Sequence, residues 1–359
     1  MVGTTGDIRG CKMNFEKSQT RLILMLTFVV YWVIGVPAAL SQSDHTRKLL
    51  EGARKEAKLM FYTTMAVDNL RPVVDDFMKE YPFVKVEFVR LSQTPLVVRV
   101  QTEARAGGWL FDVVNINGMD ILSSRSFLSP YFSPEAELYP KEYKNEKGQW
   151  SPLHVYHYVM AYNTKMISKQ EAPRDYGDLL DPRWRGNMIL HSGAYAWYGT
   201  LMKTWGSEKR GNYFKKLVRQ EIQWRGSFGF IAKTIAAGEA PLGVAFPFRI
   251  EQMKQQGAPV EWVKTFNPIV VDISGIGLSA KPNHPNAAKL FIDFLLSKKG
   301  QETIVGQGRV SVRKDVKPFS PELDQAKLGN VKVVPPEVNI NINQYAREFR
   351  EMFGLTSGP

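Results

Sequence analysis

Thiols are almost missing from this chain: Cys11 is the one cysteine in 359 residues. An internal disulfide is therefore impossible, and a cysteine-based zinc or iron–sulfur centre is excluded. Cys11 also precedes the one long apolar run instead of following it, which argues against lipid attachment. The five histidines show no metal spacing. His154 and His157, three apart in an extended stretch, fall on opposite faces of a strand and cannot chelate together. The sequence has no G-x-S-x-G, no H-E-x-x-H and no G-x-x-x-x-G-K-[ST]. Lacking these, it offers no constellation for an enzyme to work with, and we expect neither catalysis nor a cofactor. It also lacks internal repeats, low-complexity tracts and any second apolar stretch that approaches membrane-spanning length. Acidic residues are outnumbered, and the formal net charge is +12. Yet no run of Lys and Arg exceeds two, whereas a nucleic-acid surface clusters them among aromatics. A dispersed positive field suits a small anionic partner, not nucleic acid.

What is present begins with Arg9, Lys12, Lys17 and Arg21 ahead of Leu22–Val36, apolar except for Thr27 and Gly35. Pro37-Ala38-Ala39-Leu40-Ser41 then supplies small residues where a signal peptidase cuts. About fifteen apolar residues fall short of the roughly twenty that span a bilayer. Residues 1–41 thus read as a cleavable export signal and the mature protein as periplasmic, with a charge of +10.

Beyond the signal, KLMFYT (Lys58–Thr63) reads as a buried strand. Leu70, Val73, Val74, Phe77, Met78 and Tyr81 then form one helical face, with Asp68 or Asn69 as cap and Pro82 as stop. Val84–Val89 is a second strand, Thr94–Ala106 a helix and Phe111–Asn115 a third strand. This alternation predicts parallel pairing through right-handed crossovers. Leu128–Gly148 is weakly patterned and reads as an inter-lobe connection. A second α/β series starts at His154–Asn163 and runs through a helix at Asp178–Arg185 and a strand at Met188–Leu190. Helices at Trp197–Trp205 and Lys209–Arg219 and a strand at Leu242–Phe246 follow. Gly257–Val263 and Val270–Leu278 lead back toward the first series. A helix carrying Ala288, Phe291, Phe294 and Leu295 is expected to stop at Lys298-Lys299-Gly300, and the tail ends in a helix at Gln344–Phe353. The fold class is a two-lobed α/β protein with two crossover segments forming a hinge. Residues 42–150 plus 272–308 would make the first lobe, and 151–271 plus 309–359 the second.

Several phrases sharpen this reading. GLSAKPNHPNAAKLFIDFLLSKKGQETIVGQG (from Gly277 to Gly308), DLLDPRWRGNM (Asp178–Met188), WGSEKRGNYFKKLVRQ (Trp205–Gln220) and IAAGEAPLGVAF with KQQGAPVEWV occur in one order. Together they resemble bacterial extracellular solute-binding proteins, the ligand-catching components of ABC importers, in the branch with ferric-ion, phosphonate, polyamine and thiamine binders. The resemblance covers about Lys58 to Arg313. It implies a type II-like periplasmic binding protein, monomeric, that closes on a small anionic or zwitterionic solute and delivers it to an inner-membrane permease. Ferric-ion members carry adjacent tyrosines upstream of the Gln-Gly-Ala-Pro phrase. Here Phe246-Pro247-Phe248-Arg249 stands there, and the histidine expected near Met65–Ala66 is missing, so a bare ferric site is not expected.

In open α/β sheets ligands bind beyond the carboxyl ends of strands, near helix N-termini. That rule selects Thr63 and Thr64 after the first strand and Asn115 after the third. In the second lobe it selects Ser192, Tyr195 and Trp197, then Arg225 and Ser227 in a glycine-punctuated loop. Phe248 and Arg249 stand in the loop just discussed, where an arginine fork suits carboxylate or phosphonate oxygens. Asp272, near the second crossover, is a candidate for an amine. Each of these also has a plain structural use as a cap, a core side chain or a surface ion.

Overall fold

The computed structural model describes residues 1–3, 44 and 46–355. Cys11 and most of the expected export signal lie outside them. The chain divides into two units, Met1–Glu51 and Gly52–Pro359. In the first, Arg47 pairs with Asp44 at 2.9 Å; among the described residues every strand lies in the second. No helix among the described residues is long and apolar enough to cross a membrane.

The first half of the second unit follows the hydrophobic pattern closely. β1 (Lys58–Thr63) pairs in parallel with β2 (Lys85–Arg90) and β3 (Val113–Asn117). The links are α1 (Val67–Glu80) and α2 (Gln93–Arg105). α1 buries Leu70, Val73, Val74 and Phe77, the periodic face anticipated above. Phe77 meets Phe291 and Phe294 edge to face, at 4.9 and 5.4 Å between centroids. The expected cap does not form: Ala66 occupies the N-cap position with no side-chain bond, and Asp68 and Asn69 fall inside the first turn.

β3 is followed by α3 (Asp120–Ser123) and the short β4 (Leu128–Ser129). The stretch read as a connection packs down instead. Tyr131 Oη donates to Asp293 at 2.7 Å, and Tyr139 Oη donates to the Leu296 carbonyl at 2.9 Å. The chain then enters β5 (Ser151–Asn163), thirteen residues long. Beyond it come β6 (Met188–His191), α4 (Tyr195–Thr204), α5 (Ser207–Leu217) and β7 (Gln223–Arg225), then α6 (Phe228–Ala237), β8 (Leu242–Ala245), α7 (Pro247–Gln255) and β9 (Val260–Trp262). The helix expected over Asp178–Arg185 is two single 3-10 turns, because Pro182 breaks the run and Asp181 caps the second turn.

β10 (Ile269–Ser279) returns through the middle of the sheet, whose order is β2-β1-β3-β10-β5-β8-β6-β7. The two central strands are antiparallel to each other, and β10 is antiparallel to β3. β5 belongs to both halves of the sheet. Its early residues pair with β10, while Val159–Tyr162 pair with β8 and Ala161–Asn163 with β9.

After β10 come α8 (Pro285–Leu296) and α9 (Lys298–Gly306). The stop expected at Lys298–Gly300 falls one residue earlier, at Ser297, whose extended backbone ends α8 and whose Oγ accepts from Gly300 N to start α9. Gly300 lies inside α9, where a Cβ would collide with the Phe294 carbonyl. Close approach, not chain reversal, requires the glycine. The tail forms β11 (Val331–Val333), α10 (Pro336–Ile340) and α11 (Ile342–Phe353).

Candidate ligand-binding site

Residues paired across a ladder share a face of the sheet. Thr63 pairs with Asn115, Asn117 with Ser274, Ser274 with His154, and Asp272 with Tyr156. The register therefore lines one polar face across β1, β3, β10 and β5, continuing to Tyr158. At one end the groups satisfy each other. Thr63 Oγ1 donates to Asn115 Oδ1 at 3.0 Å and accepts from Met65 N. Asn115 Nδ2 donates to Ser274 Oγ at 3.0 Å and to the Gly275 carbonyl at 2.7 Å. Thr63 and Asn115 are both fully buried, and their bonds tie β1, β3 and β10 together. Thr64, half-buried, donates its amide to the Asn115 carbonyl.

The middle of the face is less satisfied. Asp272 Oδ2 accepts from Asn117 Nδ2 at 3.1 Å and from Tyr158 Oη at 3.4 Å, while its buried Oδ1 has no protein partner. Burial pushes this carboxyl up to about 6, with Asn117, Tyr158 and the Ile273 backbone amide pulling the other way. Opposite it, Tyr156 Oη accepts from Arg309 Nη1 at 3.3 Å and lies 3.0 Å from His154 Nε2. Burial, then the Arg309 charge, holds His154 well below the usual imidazole range. It is therefore neutral at pH 7, and its Nε2 can accept the phenol proton.

Arg309 leaves the turn after α9, donates to Asn69 Oδ1 at 2.8 Å and buries an Nε with no partner. Arg249, in the first turn of α7, donates to Gln252 at 3.0 Å. The two guanidinium carbons lie 5.2 and 5.3 Å from the centre of the same Phe248 ring. Among the described residues neither has a carboxylate within ion-pair distance. Burial, then the like charge of Arg309, brings Arg249 below its ordinary pKa. Arg249 also borders a cavity of 550 Å³ with Lys233, Gln252 and Phe319.

Aromatic rings wall the second half. His191, at the end of β6, stacks on Phe228 at 4.1 Å; Phe228 lies 4.3 Å from Phe246, and Phe246 lies 4.8 Å from Tyr156. Phe246 also meets Tyr158 at 5.7 Å. Ser227 sets this wall by capping α6, its Oγ accepting from Phe230 N.

Of the residues selected from sequence, Phe248, Arg249 and Asp272 come together around Tyr156. Ser192 donates its amide to the Arg225 carbonyl at 2.9 Å, and the Arg225 side chain is exposed and turned to the Trp224 carbonyl. Tyr195 accepts from Arg350 at 3.1 Å and packs on Phe349. Trp197 is buried with its Nε1 3.4 Å from Tyr176 Oη. Tyr156, Tyr158, Phe228, Phe246 and Arg309 were not singled out. The two tyrosines had a signal, since HVYHYV places them two apart on one face of a strand. Arg309 had none, because its partners are 153 and 240 residues away in sequence.

Comparison with known proteins bears on the fold and the family. The chain is 24% identical over 326 residues to an Fe(3+)-binding periplasmic protein of Serratia marcescens, covering 84% of this chain and 95% of that one. The periplasmic binding protein AfuA of Actinobacillus pleuropneumoniae, solved with fructose-6-phosphate bound, superposes with a TM-score of 0.70 at 23% identity. That match covers 83% of this chain and 99% of AfuA. Iron-bound HitA of Pseudomonas aeruginosa superposes with a TM-score of 0.73 at 19% identity, covering 82% and 99%. These neighbours share the two-lobed α/β fold. Residues 112–332, more than half of the chain, match the family described as bacterial extracellular solute-binding protein. The chain belongs to that family.

Proposed function

We propose that the protein captures a small anionic or zwitterionic solute where the two halves of the sheet meet, in the periplasm, and delivers it as a monomer to an ABC permease. The observation that carries this reading is the pair Arg249 and Arg309. Two guanidinium groups share one phenyl ring, and neither has a carboxylate partner among the described residues. An arginine left half-buried beside a like charge is held there at a cost, and an anionic ligand would relieve it through charge-assisted hydrogen bonds. The proposed contact set is Arg249, Arg309, Tyr156, Phe248, Asn69 and Asp272. Trp197, Thr63 and Asn115 act as structure in this reading, since their polar atoms are already engaged within the protein. Phe246 and Phe248 bring rings without hydroxyls to the loop where ferric binders place tyrosines, so the iron of the relatives is not carried over.

The test begins with a thermal-shift screen of organic acids, phosphonates, sugar phosphates and Fe(III), since a bound ligand stabilises the folded state. Calorimetry with a hit should show Arg309→Ala weakening binding by about 2–5 kcal/mol, the range for truncating one partner of a buried charge pair. Arg249→Ala should also weaken it, and Arg249→Lys should recover only part, because an ammonium lacks the two-pronged geometry. Unchanged affinity in all three variants would remove the arginines from the site.

A further inference from the structure

Asp272 and Arg309 are the two charged groups of this region whose buried polar atoms lack a partner: Oδ1 of the one, Nε of the other. They flank the same residue. Asp272 faces Tyr156 across the β5–β10 ladder, and Arg309 donates to the Tyr156 hydroxyl. Evolution of a site for a pure anion gains nothing from a carboxylate beside the arginines, because like charges there weaken binding. Removal of the carboxylate from water is unfavourable as well. Tyr158, which donates to Asp272 Oδ2, belongs to a cluster of rings with electron-rich faces: it meets Phe228 at 5.6 Å, and Phe246 lies against both. Such faces attract an ammonium.

Resting on the anion-binding role of Arg249 and Arg309, we propose that the ligand is a zwitterion, with its carboxylate on the arginines and an ammonium on Asp272 Oδ1. Asp272 is then the residue that selects amino acids over simple acids. Other groups facing this position do not replace it. Asn117 on β3 donates to Oδ2. Tyr156 and Tyr158 on β5 are kept protonated by burial. His154 is neutral at pH 7. Asp120 on α3 adds a distant negative charge, which raises Asp272 further. Arg249 and Arg309 complete the charged surroundings of Tyr156. A carboxyl poised at about 6 when the site is empty must give up its remaining proton when an ammonium arrives. Binding should therefore release protons near that pH, while a simple acid should release none.

Calorimetry with matched pairs tests this: β-alanine against propanoate, γ-aminobutanoate against butanoate and δ-aminopentanoate against pentanoate. Runs in two buffers of different ionisation enthalpy, at a pH of about 6, read the proton count. At least one amino compound should bind about tenfold or more tightly than its partner acid, equivalent to about 1.4 kcal/mol, and should release protons. Asp272→Asn should erase the preference, bringing the amino compound to the affinity of its partner acid. Equal binding within every pair, no binding of any amino compound, or a preference that survives Asp272→Asn would overturn the proposal. The proton count in the unmutated protein is independent of whether the variant folds. Failure of the anion reading looks different: ethylamine, propylamine and butylamine, titrated alongside as counterparts lacking the carboxylate, would bind as tightly as the amino acids, and Arg309→Ala would change nothing.

Discussion

A carboxyl held at about 6 in the folded protein binds protons more tightly there than in the unfolded chain, where an aspartate titrates near 4. The folded state therefore carries more protons between these two values, and its stability falls as pH rises from about 4 to about 6. Above about 6 the full cost of ionising Asp272 is present, about 2–3 kcal/mol for a shift of roughly two pKa units. Asp272→Asn, which can still accept from Asn117 and Tyr158, should make the ligand-free protein more stable by about that amount at neutral pH. The gain should fade toward pH 4. Urea unfolding of both proteins across this range checks it, and a destabilised variant at pH 7 would show that the carboxylate serves the fold. A buried side chain that costs stability is the pattern expected of a binding site.

The joint between α8 and α9 leaves no room for a side chain at Gly300. α8 hands over to α9 through one extended residue, and Ser297 Oγ accepts from Gly300 N at 3.2 Å. Gln301, fully buried, ties the joint to the sheet by donating to the Leu153 and Leu295 carbonyls. A methyl group at position 300 would meet the backbone of Phe294, which cannot swing away as a side chain could. Gly300→Ala should cost about 1–3 kcal/mol through overpacking, although alanine is the better helix former on an open surface. A denaturation midpoint equal to or above that of the unmutated protein would refute the close-approach reading.

Across the whole of the second unit, β5 and β10 are the strands through which both halves of the sheet connect. α10 touches both halves as well. Asn339 Nδ2 donates to Asp120 Oδ2 at 2.9 Å, and Val338 packs where a Cβ on Gly199 would come within 2.7 Å of it. Hinge closure bends a few residues at element ends and leaves each half rigid. Arg309, which reaches Asn69 on α1 and Phe248 on α7, lies where such bending would grip a ligand. Small-angle scattering should show the radius of gyration falling at saturating ligand, with circular dichroism unchanged. An unchanged radius would count against closure.

Local order was readable in the residues themselves. The period of Leu70, Val73, Val74 and Phe77, the buried run KLMFYT and the alternation of Val84–Val89 each express a burial preference within one contiguous stretch. Their positions in the structure differ by a residue or two. The family phrases and the two-lobed class were readable for the same reason, since they are contiguous. Misreadings arose where one residue type serves two purposes: Gly300 suggested a stop but permits close packing, and Asp68–Asn69 suggested a cap while Asn69 serves Arg309. The site was legible only in part. Arg249, Phe248 and Asp272 could be selected by their place after a strand or at a crossover. That they meet, and that Tyr156 and Arg309 meet them, depends on strand register and on contacts between residues about sixty or more positions apart. Sequence determined which segments fold and in what order. Tertiary structure decided which charges are left without partners, because satisfaction of a buried group is a property of its neighbours in space.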